Sequence, residues 1–184
     1  YIRRQRQMCI RDRLHPGTSY DFNGQKLTYP DIRLIYWAGG NPFHKQQDLN
    51  RFIEAWRRPE TIIVHEPWWT PAARRADIVL PATTTFERND IGAGLRDRFF
   101  IAMQQAIAPV GEAKSDYDIF SGLSKRLDVH DEFTQGRAEM DWLRHMYSLS
   151  QTNGQKQNIE MPDFDEFWKK GFIEFKTPDT SEII

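Results

Sequence analysis

The chain has 184 residues, of which 39% are hydrophobic and 28% are charged, and its formal net charge is −1 at pH 7. This length is enough for one domain with a substantial hydrophobic core. The charge balance argues against a nucleic-acid-binding surface, and no apolar run approaches the ~18 residues that a membrane-spanning helix needs.

The first thirteen residues, YIRRQRQMCIRDR, share no pattern with the rest of the chain. The segment from Arg3 to Asp12 matches the translation of a transposase-type sequencing adaptor, so we expect residues 1–13 to be an artefact. A basic arm or a targeting segment is the biological alternative. The segment holds five of the 25 Lys and Arg residues, one of the 26 acidic residues and the only cysteine, Cys9. The remainder therefore has 20 basic and 25 acidic residues, and it predicts neither a disulfide nor a thiolate metal site.

Residues 14–81 alternate between predicted strands and helices. Leu14 to Pro30 is polar and reads as a loop with a short extended piece. Apolar, β-branched runs that stop at Gly or Pro then predict three buried strands, at Ile32 to Trp37, Thr61 to Val64 and Ile78 to Leu80. Between the strands, helical spacing of apolar residues predicts one helix with Leu49, Phe52, Ile53 and Trp56 on one face, and Pro71 predicts a short second helix to Ala76. This order predicts an α/β fold, a three-layer, doubly wound and mostly parallel sheet of Rossmann-like type.

The second half of the chain is predicted to be mainly helical. Phe99 to Met103 reads as a fourth strand. The predicted helices are one that Ser115 or Asp116 caps, with Ile119, Phe120, Leu123 and Leu127 on its buried face, one over Arg137 to Leu149, and a short one over Asp163 to Lys170. Gln151 to Gln157 reads as a polar linker.

Two segments are expected at the carboxyl ends of the predicted strands, where open α/β sheets bind ligands. In Gly39 to Lys45, glycines let the backbone approach a phosphate, and free amides at a helix start attract anions. In His65 to Thr70, Glu66 is placed to bind a ribose hydroxyl. The pattern indicates a nucleotide-binding half-domain, although Gly-Gly-Asn-Pro is equally compatible with a mere tight turn because no complete GxGxxG is present.

Several consecutive motifs resemble those of the molybdopterin oxidoreductases. They are YWAGGNPF, QDLNRF and PWWTPAARRADIVLPATTTFERNDIG, and they are most similar to the S- and N-oxide reductase branch, which acts on dimethyl sulfoxide, trimethylamine N-oxide or biotin sulfoxide. The resemblance extends through HPGTSYDFNGQKLTYPDIR, GEAKSDYDIF and MPDFDEFW, and so covers nearly all of residues 15–175. It implies that residues 14–176 are a fragment of the third domain of a several-fold longer enzyme, and that residues 177–184 are a truncated linker to a missing C-terminal domain.

The resemblance also implies a function for the full-length protein. Such an enzyme carries bis(molybdopterin guanine dinucleotide)molybdenum and removes an oxygen atom from an S-oxide or N-oxide. Its expected partners are the remaining domains and an electron donor such as a cytochrome c or another redox protein. We expect a periplasmic location, with the cytoplasm as the alternative. No catalytic residue and no metal ligand are assigned to this chain, which we expect to be inactive alone. A freestanding nucleotide-binding or interaction module is the alternative; a nicotinamide dehydrogenase is disfavoured by Gly-Gly-Asn-Pro in place of GxGxxG.

The family's cofactor contacts carry over to nine positions of this chain. The resemblance places Gly39, Gly40 and Asn41 along the phosphates, His44 near the dinucleotide, Glu66, Pro67 and Thr70 in the loop at the ribose or guanine, Arg88 at phosphate or guanine, and Asp118, favoured over Asp116, at the guanine edge. Lys45 and Gln46 depart from the histidine run that is usual in the family. Lys45 either replaces a histidine contact with a positive charge on phosphate or is simply solvated.

Structural roles remain open for several of these residues. Thr70 also suits the N-cap of the helix predicted to start at Pro71. Arg88 suits a surface ion-pair network, and Asp118 suits a helix dipole. The neighbouring tryptophans Trp68 and Trp69 suit either a stacking surface or burial against another domain.

Overall fold

A computed structural model describes residues 14–94 and 97–175 of the chain. The chain divides after Ala82 into two compact units. The described part of the first unit is residues 14–82, and that of the second is residues 83–94 and 97–175. The predicted artefact at residues 1–13 and the predicted linker at residues 177–184 lie outside the described residues. Among the described helices, none is long and apolar enough to cross a membrane.

The first unit begins with a β-hairpin where the sequence predicted a loop with a short extended piece. Strands β1 (Ser19–Phe22) and β2 (Gln25–Thr28) pair antiparallel. Asn23 and Gly24 form the two-residue turn with φ of 53° and 82°, and left-handed residues of this kind match the twist of a tight hairpin. Asp21 supports the turn because its carboxylate accepts a hydrogen bond from the Gly24 N–H at 3.1 Å.

A three-stranded parallel sheet forms the centre of the first unit, as predicted. Its strands lie in the order β3 (Leu34–Ala38), β4 (Thr61–Glu66) and β5 (Ile78–Pro81). A short helix α1 (Pro42–Lys45) and a longer helix α2 (Leu49–Trp56) connect β3 to β4. The register pairs Ala38 with His65 and Glu66 with Pro81, so the carboxyl ends of the three strands share one edge.

The helix predicted over Pro71–Ala76 is reduced to a single 3₁₀ turn over Ala73–Arg75. Ala76 is already extended, with ψ of 154°, and Asp77 is bound to β4, since its backbone N–H donates to the Ile62 carbonyl at 2.9 Å. The connection between β4 and β5 therefore returns to an extended backbone after one helical turn.

Helix α2 supplies the core of the first unit. Phe52, Ala55 and Trp56 are at most 1% exposed and pack with Ile35, Ile62 and Val64 of the sheet. Trp56 also donates its indole N–H to the Arg75 carbonyl at 2.9 Å, which ties α2 to the 3₁₀ turn. Leu49, which the spacing placed on the same face, lies in the first helical turn and is 42% exposed.

The second unit contains an antiparallel sheet. Its order is β6 (Asp90–Ala93), β7 (Phe99–Met103) and β8 (Phe172–Glu174), and β7 pairs antiparallel with both neighbours. The strand predicted over Phe99 to Met103 is confirmed with the same bounds, but it belongs to this antiparallel sheet and not to the parallel sheet of the first unit. A 3₁₀ turn (Thr85–Glu87) precedes β6.

These sheets correct the predicted Rossmann-like architecture. The three parallel strands and the α/β class are confirmed. However, β3, β4 and β5 lie side by side in the same order as in the sequence. In a doubly wound sheet, the strand order instead reverses at a switch point. In the described residues, the chain forms one parallel and two antiparallel sheets rather than a single three-layer sheet.

Among the described residues of the second unit, four helices confirm a helical C-terminal part: α3 (Asp116–Arg126), α4 (His130–Thr134), α5 (Glu139–Gln155) and α6 (Phe164–Lys170). Ser115 caps α3, because its hydroxyl accepts a hydrogen bond from the Asp118 N–H at 3.1 Å. Tyr147 of α5 and Phe167 of α6 are fully buried and stack 4.7 Å apart at the centre of the core. The polar linker predicted from Gln151 was wrong, because α5 continues to Gln155.

Candidate functional site

The turn that follows β3 is built from two left-handed glycines. Gly39 and Gly40 have φ of 84° and 65°, a region in which a side chain is strained. The indole N–H of Trp37 donates to both of their carbonyls, at 3.1 Å to Gly39 and 2.8 Å to Gly40. Trp37 in turn packs edge-on against the buried Trp56 at 5.9 Å, so the turn is fixed to the core.

The orientation of these carbonyls decides where the amides of the turn point. None of the described peptide bonds is cis, and a trans peptide directs its N–H opposite to its C=O. Because both carbonyls face the Trp37 indole, the N–H groups of Gly40 and Asn41 face away from it. Within the described residues neither N–H donates a hydrogen bond. Two adjacent backbone donors of this kind suit an anionic oxygen.

Asn41 adds a side-chain donor at the same turn. Its carboxamide oxygen accepts a hydrogen bond from the Phe43 N–H at 3.0 Å and so caps α1. Its Nδ2 is buried and has no hydrogen-bond partner among the described residues. Buried polar groups are normally paired, since an unpaired one costs about 1–3 kcal/mol. The position therefore favours an acceptor supplied by a bound group.

The two basic residues of α1 occupy different positions. The side chain of His44 is exposed. The ammonium of Lys45 lies against Gly40, because a Cβ added at Gly40 would be 2.9 Å from Nζ. The turn therefore has a positive charge beside it, and at Gly40 a larger residue would displace that charge.

Glu66 and Thr70 form the second predicted segment, after β4. The Thr70 hydroxyl donates to Oε1 of Glu66 at 2.8 Å and accepts from the Ala73 N–H at 3.3 Å. Thr70 thus orients the Glu66 carboxylate and also binds the first residue of the 3₁₀ turn. It is not the N-cap that the sequence predicted, because the N-cap position of this turn is Ala72. Pro67 is exposed, as are Trp68 and Trp69 at 67% and 69%.

A pair of residues that the sequence analysis missed links the two strands behind these segments. The Tyr36 hydroxyl and Nε2 of His65 lie 2.7 Å apart, and His65 is only 4% exposed. The aromatic Trp37, two residues before Gly39, was also missed. For Tyr36 and Trp37, the available signal was a phenol or indole side chain at the end of a strand, just before a glycine turn.

Arg88 and Asp118 belong to the second unit. Arg88 donates to the Thr83 carbonyl at 2.9 Å and forms an ion pair with Asp90 at 3.3 Å, so the alternative structural role is present. Asp118 lies in the first turn of α3 and is exposed. The structure does not test a cofactor role for either residue, and both roles stay predictions.

Arg88 also lines a cavity of about 490 Å³ within the second unit. Asp116 lines this cavity, whereas Asp118 is not among its lining residues. Burial raises the pKa of the Glu139 carboxyl in the cavity wall, and the negative charges of Asp118 and Asp90 raise it further. The remaining lining residues are Asn89, Asp90, Ser115, Tyr117, Phe133, Trp142, Leu143 and Met146.

Metal ligation by the chain itself is not indicated within the described residues. There, no group of three or more His, Cys, Asp or Glu side chains is arranged to hold a metal ion. The donors gathered at the Gly39–Asn41 turn are amides and an ammonium, which bind anions rather than cations.

Comparison with known proteins assigns the family. The molybdopterin oxidoreductase family model matches residues 11–126. The chain belongs to the molybdopterin oxidoreductase family. This membership implies a molybdenum–molybdopterin cofactor in the full-length protein, and the anion-binding donors of the Gly39–Asn41 turn fit such a phosphate-bearing group.

The chain is similar to several S- and N-oxide reductases. The chain is 57% identical over 159 residues to biotin sulfoxide reductase of Cereibacter sphaeroides, an alignment that covers 86% of this chain and 21% of that protein. It is 45% identical to dimethyl sulfoxide/trimethylamine N-oxide reductase of Rhodobacter capsulatus, covering 92% of this chain and 21% of that protein. It is 48% identical to trimethylamine-N-oxide reductase of Haemophilus influenzae, an alignment that covers 84% of this chain and 19% of that protein. The chain thus spans about a fifth of the length of these relatives.

A solved structure has a similar fold. Acetylene hydratase from Pelobacter acetylenicus superposes with a TM-score of 0.62 at 22% identity, over 82% of this chain and 19% of that chain. At this level of identity the similarity concerns the fold alone.

Proposed function

We propose that this chain is part of a molybdenum-dependent S- or N-oxide reductase and that it holds the phosphates of a molybdopterin guanine dinucleotide. The observation that carries the proposal is the Gly39–Asn41 turn. Trp37 turns two carbonyls inward, and this leaves the N–H groups of Gly40 and Asn41 available to an anion. The left-handed glycines allow a ligand to approach the backbone closely.

The residues at the carboxyl edge of the parallel sheet then have defined roles. The amides of Gly40 and Asn41, together with Nδ2 of Asn41, bind phosphate oxygens. Glu66, oriented by Thr70, accepts hydrogen bonds from the ribose or from the guanine. When bound, the molybdenum cofactor supplies the oxygen-atom transfer, and the protein binds and orients it. Arg88 and Asp118 remain the proposed contacts of the second unit.

The substrate is proposed to be a small S-oxide or N-oxide. This follows from the names of the similar proteins, which are reductases of biotin sulfoxide, dimethyl sulfoxide and trimethylamine N-oxide. We further propose a redox protein such as a cytochrome c as electron donor and the periplasm as location. Both proposals rest on the family resemblance.

The experiment begins with recovery of the uninterrupted gene and its expression in a molybdenum-replete host. The purified product is assayed for molybdenum, for guanine nucleotide, and for reduction of trimethylamine N-oxide against dimethyl sulfoxide. We expect two guanine nucleotides per molybdenum, as the bis(molybdopterin guanine dinucleotide) form requires, together with oxide reduction. A product without molybdenum would reject the proposal in favour of a freestanding nucleotide-binding module.

A further inference from the structure

We infer that Lys45 is the cation that binds a phosphate group at the Gly39–Asn41 turn, an inference that rests on the proposed cofactor site and adds a residue to it. The ammonium lies beside Gly40, close enough that a Cβ there would be 2.9 Å from Nζ and 3.7 Å from Cε. The end of the lysine side chain thus occupies the position that any other residue at 40 would fill.

The backbone that carries Lys45 is firmly positioned. Asn41 caps α1 through its bond to the Phe43 N–H, and the Gln46 N–H closes the helix by donating to the Pro42 carbonyl at 3.0 Å. Phe43 anchors the same helix in the core, where its ring lies 5.0 Å from Phe52 and 5.2 Å from Trp56. Lys45 therefore extends toward the turn from a fixed base.

The charge of Lys45 is not used elsewhere in the described parts of the chain. Its ammonium forms no ion pair there, whereas the nearby Arg51 pairs with Asp48 at 3.4 Å. The side chain is exposed, so the ammonium reaches solvent and a bound ligand alike. An ammonium with three rotatable donors suits a phosphate as a point charge.

A lysine at this position complements the neutral donors of the turn. Backbone amides and the Asn41 carboxamide bind an anion by hydrogen bonds but carry no net charge. The formal net charge of the chain is −1, so general attraction does not draw anions to it. A local cation beside the amides therefore makes the turn selective for a charged phosphate over a neutral ligand.

The test measures binding of inorganic pyrophosphate to the 184-residue chain by isothermal titration calorimetry at low and moderate salt. We expect Lys45→Gln to weaken binding by about tenfold, the effect of one charge-assisted hydrogen bond, and to flatten the salt dependence. Lys45→Arg should retain most of the affinity. Lys26→Gln is the matched control, since it removes the same charge from an exposed position on β2.

Every outcome decides the role of Lys45. Equal affinities of the unmodified chain and Lys45→Gln would overturn it and leave the proposed cofactor function intact. An equal loss in Lys26→Gln would overturn it too, as a general charge effect. If the unmodified chain does not bind pyrophosphate, the phosphate contact at the turn fails together with the inference, while the molybdenum content of the full-length product decides the cofactor function separately. Lys45→Met, of similar stem length, replaces Lys45→Gln should that variant fold poorly.

Discussion

The Glu66 carboxylate at the carboxyl edge of the parallel sheet is oriented by one neighbour. The Thr70 hydroxyl donates a hydrogen bond to the Glu66 carboxylate and accepts one from the Ala73 N–H. A single side chain therefore shapes the loop and directs a charged group.

Replacing Thr70 with Val removes both hydrogen bonds while keeping the side-chain volume. We expect Thr70→Val to lower the free energy of unfolding by about 1 kcal/mol, the typical net value of such bonds at a partly exposed site. Thr70→Ser is the matched control, because it keeps the hydroxyl. Urea unfolding followed by tryptophan fluorescence measures the difference, and equal stability of Val and Ser variants would contradict the role given to the hydroxyl.

Glu87 in the second unit is a carboxylate that supports two segments of backbone. It accepts hydrogen bonds from the Thr84 N–H at 2.6 Å, from the Thr84 hydroxyl at 2.8 Å and from the Val110 N–H at 2.8 Å. Hydrogen bonds from Thr84 and Val110 hold the pKa of Glu87 below its usual value of 4.5. A lowered pKa in the folded state means that ionisation stabilises the fold above pH 4.5 and that this stability is lost as pH falls through the folded-state pKa.

We therefore expect Glu87→Gln to be less stable than the unmodified chain at pH 7. The difference should shrink as the pH is lowered below 4.5, because the carboxyl of the unmodified chain becomes protonated. Melting temperatures between pH 7 and pH 3 measure this convergence. Glu112→Gln, an exposed acid in the same unit, is the control. A difference that stays constant with pH would show that the ionised carboxylate is not what stabilises this region.

The residues on the apolar face of helix α2 contribute unequally to the stability of the fold. Phe52 is fully buried, whereas Leu49, one turn earlier on the predicted apolar face, is 42% exposed. We expect Phe52→Ala to cost about 3–5 kcal/mol, through lost burial and the cavity left behind, and Leu49→Ala to cost less than about 1 kcal/mol. Denaturant unfolding of the two variants compares them directly. Similar losses would mean that Leu49 is packed in solution as the spacing predicted.

Elements with a local sequence signal were predictable. Strands β3, β4 and β5 follow from apolar runs that stop at Gly or Pro, and helix α2 follows from the helical spacing of its apolar residues. The structure places these elements within two residues of the predicted limits. The turn at Gly39–Gly40 was predictable for the same reason. Lys45 beside Gly40 was only one of two alternatives, because a side-chain direction is not encoded in the residue type.

Elements that depend on distant partners were not predictable. Strand β8 pairs with β7 across some 70 residues, with Ile173 opposite Phe100, and no local pattern records such a pairing. Helix α5 continues past Leu149 through polar residues. The hydroxyls of Ser150 and Thr152 donate hydrogen bonds to carbonyls four residues earlier, so these side chains find their hydrogen-bond partners within the helix. Polarity there was wrongly interpreted as a linker.

At the scale of the whole molecule, both units leave large apolar side chains exposed. Trp68 and Trp69 in the first unit are about two-thirds exposed, and so is Phe86 in the second. Exposed aromatic groups of this size are typical of surfaces that contact another domain or a ligand. The exposure of Trp68 and Trp69 fits both uses predicted from the sequence, a stacking surface and burial against another domain.

The proposed division of labour predicts that the 184-residue chain does not reduce oxides by itself. In that proposal the described residues contact phosphate and ribose, whereas the oxygen-atom transfer requires the molybdenum cofactor that the complete enzyme would hold. The measurement is oxidation of a reduced dye with trimethylamine N-oxide or dimethyl sulfoxide as acceptor. We expect a rate equal to the buffer rate for the chain and a measurable rate for the molybdenum-loaded full-length product. Turnover by the chain alone would mean that it holds a complete catalytic site, which would contradict the proposal that it only binds part of the cofactor.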